Sequence, residues 1–288
     1  MNELTHIDGA MSVQSRAPLS RRLLGLNVPP ALWENAPRYA RHNYFGKVTP
    51  RYIALHRIVA VDRVLRPRPG ERIVECGCGP GFSTVLFARS GAEVTALDIS
   101  AKLVATARQL AAANDVAVRF LRADVRRTGL APGSYDAAVS MEMLEHLRDW
   151  RCALASLADL VRPGGRVVVS TPSPYGLSQV LKTIAKRIGR KRAATYERFI
   201  WPRTLVRAGL SLGLRVSQWE WCGLVVPIVP AVALPVAVSA EALCEATPGL
   251  RRLCTTMIVA FTKEDQARRP VQNNGSGRPS VSGNSRPR

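Results

Sequence analysis

Acidic residues are scarce in this chain, aromatic residues make up 6% of it, and its cysteines show no paired spacing. Against 41 Lys and Arg stand 21 Asp and Glu, a net charge of +20 over 288 residues. Such an excess calls for an acidic partner: nucleic acid, anionic lipid or a phosphorylated substrate. The six cysteines (Cys76, Cys78, Cys152, Cys222, Cys244, Cys254) lack C-x-x-C spacing and a partner histidine, which argues against a zinc ribbon or a disulfide scaffold. Met1–Ala10 carries Glu3 and Asp8 where a secretory leader needs an apolar run, so a reducing, cytoplasmic setting is expected. There is no internal repeat. What is present is 47% hydrophobic content, enough for one large core, so wholesale disorder is excluded.

The charge is unevenly placed. Residues 1–70 carry +7, residues 71–175 carry +1 and residues 176–288 carry +12. The middle third is nearly neutral, and the basic excess belongs to what surrounds it.

That middle third alternates strand and helix signals at short spacing. Strands are expected at Arg72–Cys76, Glu93–Leu97, Ala117–Leu121, Tyr135–Ser140 and Arg166–Thr171, with helices at Arg51–Leu65, from the Gly77–Gly81 turn to Ser90, at Ala101–Ala113 and near Trp150–Val161. Pro202–Leu212 reads as a further helix, and Leu214–Trp221 and Thr255–Thr262 as the last strands. This rhythm predicts an α/β fold, a seven-stranded and mostly parallel sheet with helices on both faces and an antiparallel final strand. Residues 1–47 form an expected N-terminal arm or lid with an aromatic cluster, 48–263 the main domain, and 264–288 a Gly-, Ser- and Arg-rich disordered tail.

Ile73-Val-Glu75-Cys-Gly77-Cys-Gly79-Pro-Gly81 runs from a strand through three alternate glycines into a helix. The turn lets backbone approach a ligand, and the helix start offers free N–H groups. A dinucleotide fingerprint would be G-x-G-x-x-G, but here the third glycine comes one place early. Cys76 and Cys78 are read as small residues suited to a tight bend rather than as a metal site. Glu75 would repel a pyrophosphate yet can pair with a cationic amino-acid moiety, which points to S-adenosylmethionine rather than a nicotinamide dinucleotide. Asp98, ending the second strand beside Ile99, is placed to accept from both ribose hydroxyls. Asp124, after the third strand, can take the adenine amino proton while Val125 packs on the ring. Three acids at three successive strand ends make a constellation where each alone would be ambiguous.

These residues resemble the class I S-adenosylmethionine-dependent methyltransferases, and the likeness covers roughly 51–263. Within that superfamily, Tyr135-Asp-Ala-Ala-Val-Ser-Met141-Glu142-Met-Leu-Glu145-His146-Leu147, the following Leu160-Val-Arg-Pro-Gly-Gly-Arg-Val-Val-Val-Ser-Thr171 and the later Glu197-Arg-Phe-Ile-Trp-Pro202 are similar to the O-methyltransferases of ubiquinone biosynthesis. The resemblance implies the Rossmann-like class I methyltransferase fold, an adenine-pocket role for Met141, and a reach from Arg51 to the cofactor carboxylate.

Methyl transfer is an in-line displacement, so the acceptor must be aligned and, if it is a poor nucleophile, deprotonated. His146 is the candidate general base for a phenolic or enolic hydroxyl, with Glu145 beside it. Glu142, Glu145 and His146 also offer two carboxylates and an imidazole within five residues, a ligand set for a divalent cation such as magnesium. The alternative is that Glu145 and His146 merely cap or solvate the next helix. Glu142 and His146 share a face only if the segment is helical. Neither an Asn/Asp-Pro-Pro-aromatic signature nor a Pro-Cys nucleophile occurs, which disfavours base N- and C5-methylation and favours a small-molecule oxygen acceptor.

Two additions lie outside this core. In 176–200, Leu177, Val180, Leu181, Ile184 and Ile188 fall on one helical face and Lys182, Lys186 and Arg190 on the other, a pattern for an interfacial helix on anionic lipid, for a helix packed on its own domain, or for RNA phosphate contacts. Within 222–250, the 19-residue run Cys222–Ala240 has no charge. It is long enough to span a bilayer, but Pro227, Pro230 and Pro235 oppose a straight helix, leaving a membrane-dipping segment or an apolar lid. A hydrophobic acceptor and peripheral contact with the inner face of an anionic membrane are the expected partners. RNA methylation and a non-catalytic scaffold are the competing expectations.

Overall fold

The computed structural model describes residues 25–45, 48–176, 198–224 and 229–265. The amphipathic insertion beyond residue 176 and the C-terminal tail beyond 265 lie outside the described residues, as do residues 1–24 of the arm.

The chain enters through α1 (Pro30–Asn35), a short helical turn (Arg38–Ala40) continuing into a π-turn (Arg41–Phe45), and the long α2 (Val48–Leu65). There follow β1 (Arg72–Cys76), α3 (Phe82–Arg89), β2 (Glu93–Asp98), α4 (Ala101–Ala112), β3 (Val118–Arg122) and β4 (Tyr135–Met141). A single 3-10 turn (Leu144–His146) leads to α5 (Trp150–Leu160) and β5 (Val161–Pro172), and later come α6 (Pro202–Ser211), β6 (Leu214–Cys222), α7 (Leu234–Ala246) and β7 (Thr256–Lys263). The strands form one seven-stranded sheet in the order β3-β2-β1-β4-β5-β7-β6, parallel except for β7, which runs antiparallel to both neighbours. The predicted elements and the antiparallel last strand are observed. Boundaries shift by a residue or a few, α2 beginning at Val48 rather than Arg51; the largest change is in β5, which draws in the Pro163-Gly164-Gly165 turn because Val161 already pairs with Tyr135 before Arg166 pairs with Ala137.

Strand periodicity divides the core between the sheet's two faces. Val74, Ala138, Val167, Val169, Met257, Val259 and Phe261 pack with Leu154 and Leu157 of α5 and Leu205 of α6. Their neighbours Ile73, Ala137, Val139, Val168, Ile258 and Ala260 pack with Val61, Val64 and Leu65 of α2 and Phe87 of α3. Every one of these side chains is buried, so the sheet is apolar on both sides, as a sheet covered by helices must be.

Beyond β1 the chain travels outward through β2 and β3, then returns to add β4 on β1's other side. Strand order therefore reverses between β1 and β4, and the carboxyl ends of these strands bound the crevice where such sheets take ligands.

The apolar stretch after β6 is no straight span. Ala231–Ala233 is a 3-10 turn, and α7 has 13 residues with Pro235 in its first turn. Among the described residues no helix is long and apolar enough to cross a membrane.

Candidate active site

A cavity of about 500 Å³ opens at that reversal point. Glu75, Gly77, Gly79, Asp98, Ile99, Asp124, Val125, Met141, Glu142 and His146 all line it, so residues chosen from separate strand ends share one wall-to-wall space.

Glu75 sits at the bottom, 1% exposed, its carboxylate accepting from the Ser83 and Thr84 hydroxyls of α3 at 2.5 Å each. Burial pushes its carboxyl up to about 7 against the pull of those two hydrogen bonds. A carboxylate so far out of water is poised to receive a cation. Asp98 organises the glycine turn: its Oδ2 accepts from Gly79 N–H at 3.1 Å and its Oδ1 from Ser100 N–H at 2.8 Å. Each oxygen keeps a second lone pair for a ligand hydroxyl.

The three glycines do different work. Gly79 has φ +55 and open space where a side chain would begin, on the cavity wall. Gly81 caps α3 at φ +90, with Ala107 Cβ of α4 2.7 Å from the position of a side chain. It does not line the cavity. Its expected ligand contact is replaced by helix packing. Cys76 and Cys78 are buried thiols pushed up by burial, consistent with residues chosen for size.

Asp124 is not waiting free for an adenine. Arg126, two residues on, grips both of its oxygens at 2.6–3.2 Å and holds its carboxyl down at about 2. Arg126 also lines the cavity and lies 3.6 Å from Asp149, so this rim carries a cation that the sequence reading did not assign. Tyr44 was missed as well. It stacks flat on Phe82, ring centroids 4.8 Å apart, and closes the cavity from the N-terminal arm. The aromatic cluster in the arm was the available signal, but no periodicity linked it to the glycine turn.

At the end of β4, Glu142 adopts φ 48, a left-handed backbone unusual for a residue with a side chain. Its N–H donates to Ser170 O at 3.0 Å, its Oε2 accepts from Arg57 Nη1 at 2.7 Å, and its Oε1 is buried with no hydrogen-bond partner. His146 follows, exposed on the cavity wall. Glu145, between them, is 2% exposed and does not line the cavity, contrary to its expected part in catalysis. The physical reason is the local backbone: one left-handed residue and one 3-10 turn send side chains 142, 145 and 146 in different directions, where a helix would have gathered the first and last. The ligand atoms of Glu142, Glu145 and His146 do not gather into a metal cluster; among the described residues the cluster that does is elsewhere. These residues therefore do not fit a three-ligand cation site.

Arg51, on α2, is also off the cavity wall. It is 5% exposed, and its Nε and Nη2 are buried without hydrogen-bond partners. A guanidinium so placed calls for an anion.

The family model of a methyltransferase domain matches residues 74–169, from β1 to the body of β5. The ubiquinone biosynthesis O-methyltransferase of Xanthomonas axonopodis pv. citri is 34% identical over 177 residues, covering 57% of this chain and 74% of that protein. The enzyme of the same name from Aeromonas salmonicida is 34% identical over 154 residues, 52% of this chain. The match spans 65% of that relative and 59% of one from Xanthomonas campestris, less than two thirds of either. In fold, the chain is similar to magnesium protoporphyrin IX methyltransferase from Synechocystis PCC 6803, solved with bound SAH: TM-score 0.56, 20% identity, covering 79% of this chain and 93% of that one. With the sheet order, the strand-end acids and these likenesses together, the chain belongs to the class I S-adenosylmethionine-dependent methyltransferases and is similar, within them, to the ubiquinone biosynthesis O-methyltransferases.

Proposed function

We propose that the protein methylates an oxygen of a hydrophobic small molecule, a phenolic or enolic hydroxyl, with S-adenosylmethionine as donor. One observation carries this reading: at the end of β4 an exposed imidazole, His146, and Glu142, whose Oε1 is buried without a hydrogen-bond partner, line the same cavity as the acids Glu75 and Asp98. The donor supplies an electrophilic methyl on a sulfonium. Glu75 receives its cationic amino-acid end, Asp98 its ribose hydroxyls, and Val125 and Met141 its base; Arg51, buried off the cavity wall, is assigned no contact with the donor. Arg126 must loosen its hold for Asp124 to accept from the base. His146 takes the acceptor proton and Glu142 Oε1 orients the hydroxyl, with Arg57 holding that carboxylate in place. No step is assigned to a metal at Glu142, Glu145 and His146.

The proposed partner surface follows from α7. Leu234, Glu241 and Cys244 are buried while Val236 and Leu243 stand 74% and 66% exposed, with Val232 exposed before the helix and Leu250, Arg251, Arg252 and Leu253 exposed after it. Apolar side chains beside arginines suit an anionic bilayer at the headgroup boundary, where a greasy acceptor would be met. RNA as acceptor remains the alternative that the net charge keeps alive.

Incubation with labelled S-adenosylmethionine and, in parallel, total lipid and total RNA extracts tests the proposal. Label in the lipid extract supports it, and label confined to RNA overturns it.

A further inference from the structure

The charged residues of α7 face inward. Glu241 is 2% exposed and Glu245 half-buried, four residues apart on one helix face, where two carboxylates repel. Both converge on one ring of α2. His56 Nδ1 lies 3.0 Å from Glu241 Oε1, and its Nε2 stands 3.7 Å from Glu245 Oε1. Tyr52 stacks on the imidazole at 5.5 Å and 15° and donates its hydroxyl to Glu241 Oε1 at 2.6 Å, so the ring's plane is held. The end of β6 closes the arrangement: Leu224 N–H donates to Glu241 Oε2 at 2.6 Å and Gly223 N–H to Glu245 Oε1 at 2.9 Å.

This geometry is that of a ligand set. An imidazole whose Nδ1 is engaged by a carboxylate is fixed in one tautomer, with the Nε2 lone pair turned outward. The 3.7 Å from Nε2 to Glu245 is too long for a hydrogen bond. It is a separation that two ligands keep when each lies about 2.0–2.2 Å from a shared ion. One ligand atom from each of His56, Glu241 and Glu245 falls within 4.8 Å of the others. Side-chain exposures of 15% for His56 and 19% for Glu245 leave a way in for an ion and room for water to complete its shell. An imidazole nitrogen with a carboxylate oxygen, and no thiolate, suits a borderline divalent ion rather than a soft one.

We propose that His56 Nε2 and Glu245 bind a divalent transition-metal ion of the zinc class, with water completing its shell and Glu241 holding the imidazole through Nδ1, so that the ion fastens α7 to α2 and to the end of β6. The site is separate from the cavity and independent of the acceptor's identity. The residue after His56 is Arg57, which holds Glu142 at the cavity wall, so the ion steadies the same helix that serves the active site.

The full chain, stripped with chelator, would be titrated with zinc by calorimetry, with cobalt absorption reporting the ligand field and thermal unfolding recorded with and without metal. The expected result is one ion per chain and a melting temperature raised by several degrees. Glu245→Gln and His56→Ala should weaken binding at least tenfold and remove the thermal shift, whereas Glu142→Gln should bind as the parent does. Circular dichroism at equal intensity would show that the variants are folded. Absence of stoichiometric zinc in the parent, equal affinity in folded Glu245→Gln, loss of affinity in Glu142→Gln instead, or stability that follows pH while ignoring zinc would each overturn the site.

Discussion

Single carboxylates set the chemistry of the cavity, and their environments separate their roles. Burial raises Glu75 to about 7 from an ordinary value near 4.5, so in the empty protein its contribution to stability is full below pH 4.5 and is lost as pH rises through 7. A cationic ligand beside it reverses the preference by favouring the ionised form. Cofactor affinity should therefore rise by up to tenfold per pH unit below 7 and flatten above it, with proton release on binding. Calorimetry in two buffers of different ionisation enthalpy measures both effects, and Glu75→Gln should abolish the slope. A pH-independent affinity in the parent would remove Glu75 from the binding role. Asp98→Ala deletes the proposed ribose acceptor and also unties Gly79, so affinity should fall about a hundredfold, the worth of two charge-assisted hydrogen bonds; unchanged binding would sink the cofactor assignment. The strand-end acids were legible in the sequence because strand, glycine and acid follow one another along the chain. Arg126 was not, since its grip on Asp124 depends on how the loop after β3 folds back. Nor was His56, whose partners Glu241 and Glu245 lie almost 200 residues away, just past an apolar run that drew attention to its lack of charge.

Among the elements, the β1–α3 turn shows how spacing encodes two jobs at once. A methyl group at Gly81 would lie 2.7 Å from Ala107 Cβ, on a backbone that disfavours side chains, so Gly81→Ala should cost about 3 kcal/mol of stability, read as a shifted denaturant midpoint. Gly79→Ala meets nothing within 4 Å and should cost about 1 kcal/mol, while its methyl crowds the cavity and weakens cofactor binding. Equal stability losses in the two variants would refute this division. The α/β alternation was legible because each strand and helix carries its own period. The segment after β4 was not: its reading turned on whether 142–146 is helical, and the left-handed Glu142 decides against it. The 3-10 turn is too short for hydrophobic periodicity to reveal.

For the molecule as a whole, the nearly neutral middle third supplies β1 to β5 and most of the cavity wall, and the last third adds β6, β7 and the apolar α7. That α7 turns carboxylates in and valine and leucine out could not be read from a charge-free run that ends where its glutamates begin. If the outer face meets lipid, anionic vesicles should sediment the protein, binding should fall as salt rises, and Val236→Asp with Leu243→Asp should cut the bound fraction several-fold. Equal binding to neutral vesicles, or no effect of the two substitutions, would assign that face another role.

The left-handed backbone at Glu142 has a further consequence for substitution at that position. Glycine or asparagine would sit there with less backbone strain than glutamate, but neither offers the carboxylate that Arg57 holds against the cavity. Libraries at position 142 should therefore part company: selection for heat resistance alone should enrich the residues that relax the turn, and selection for turnover should restore glutamate, a local trade of stability for activity.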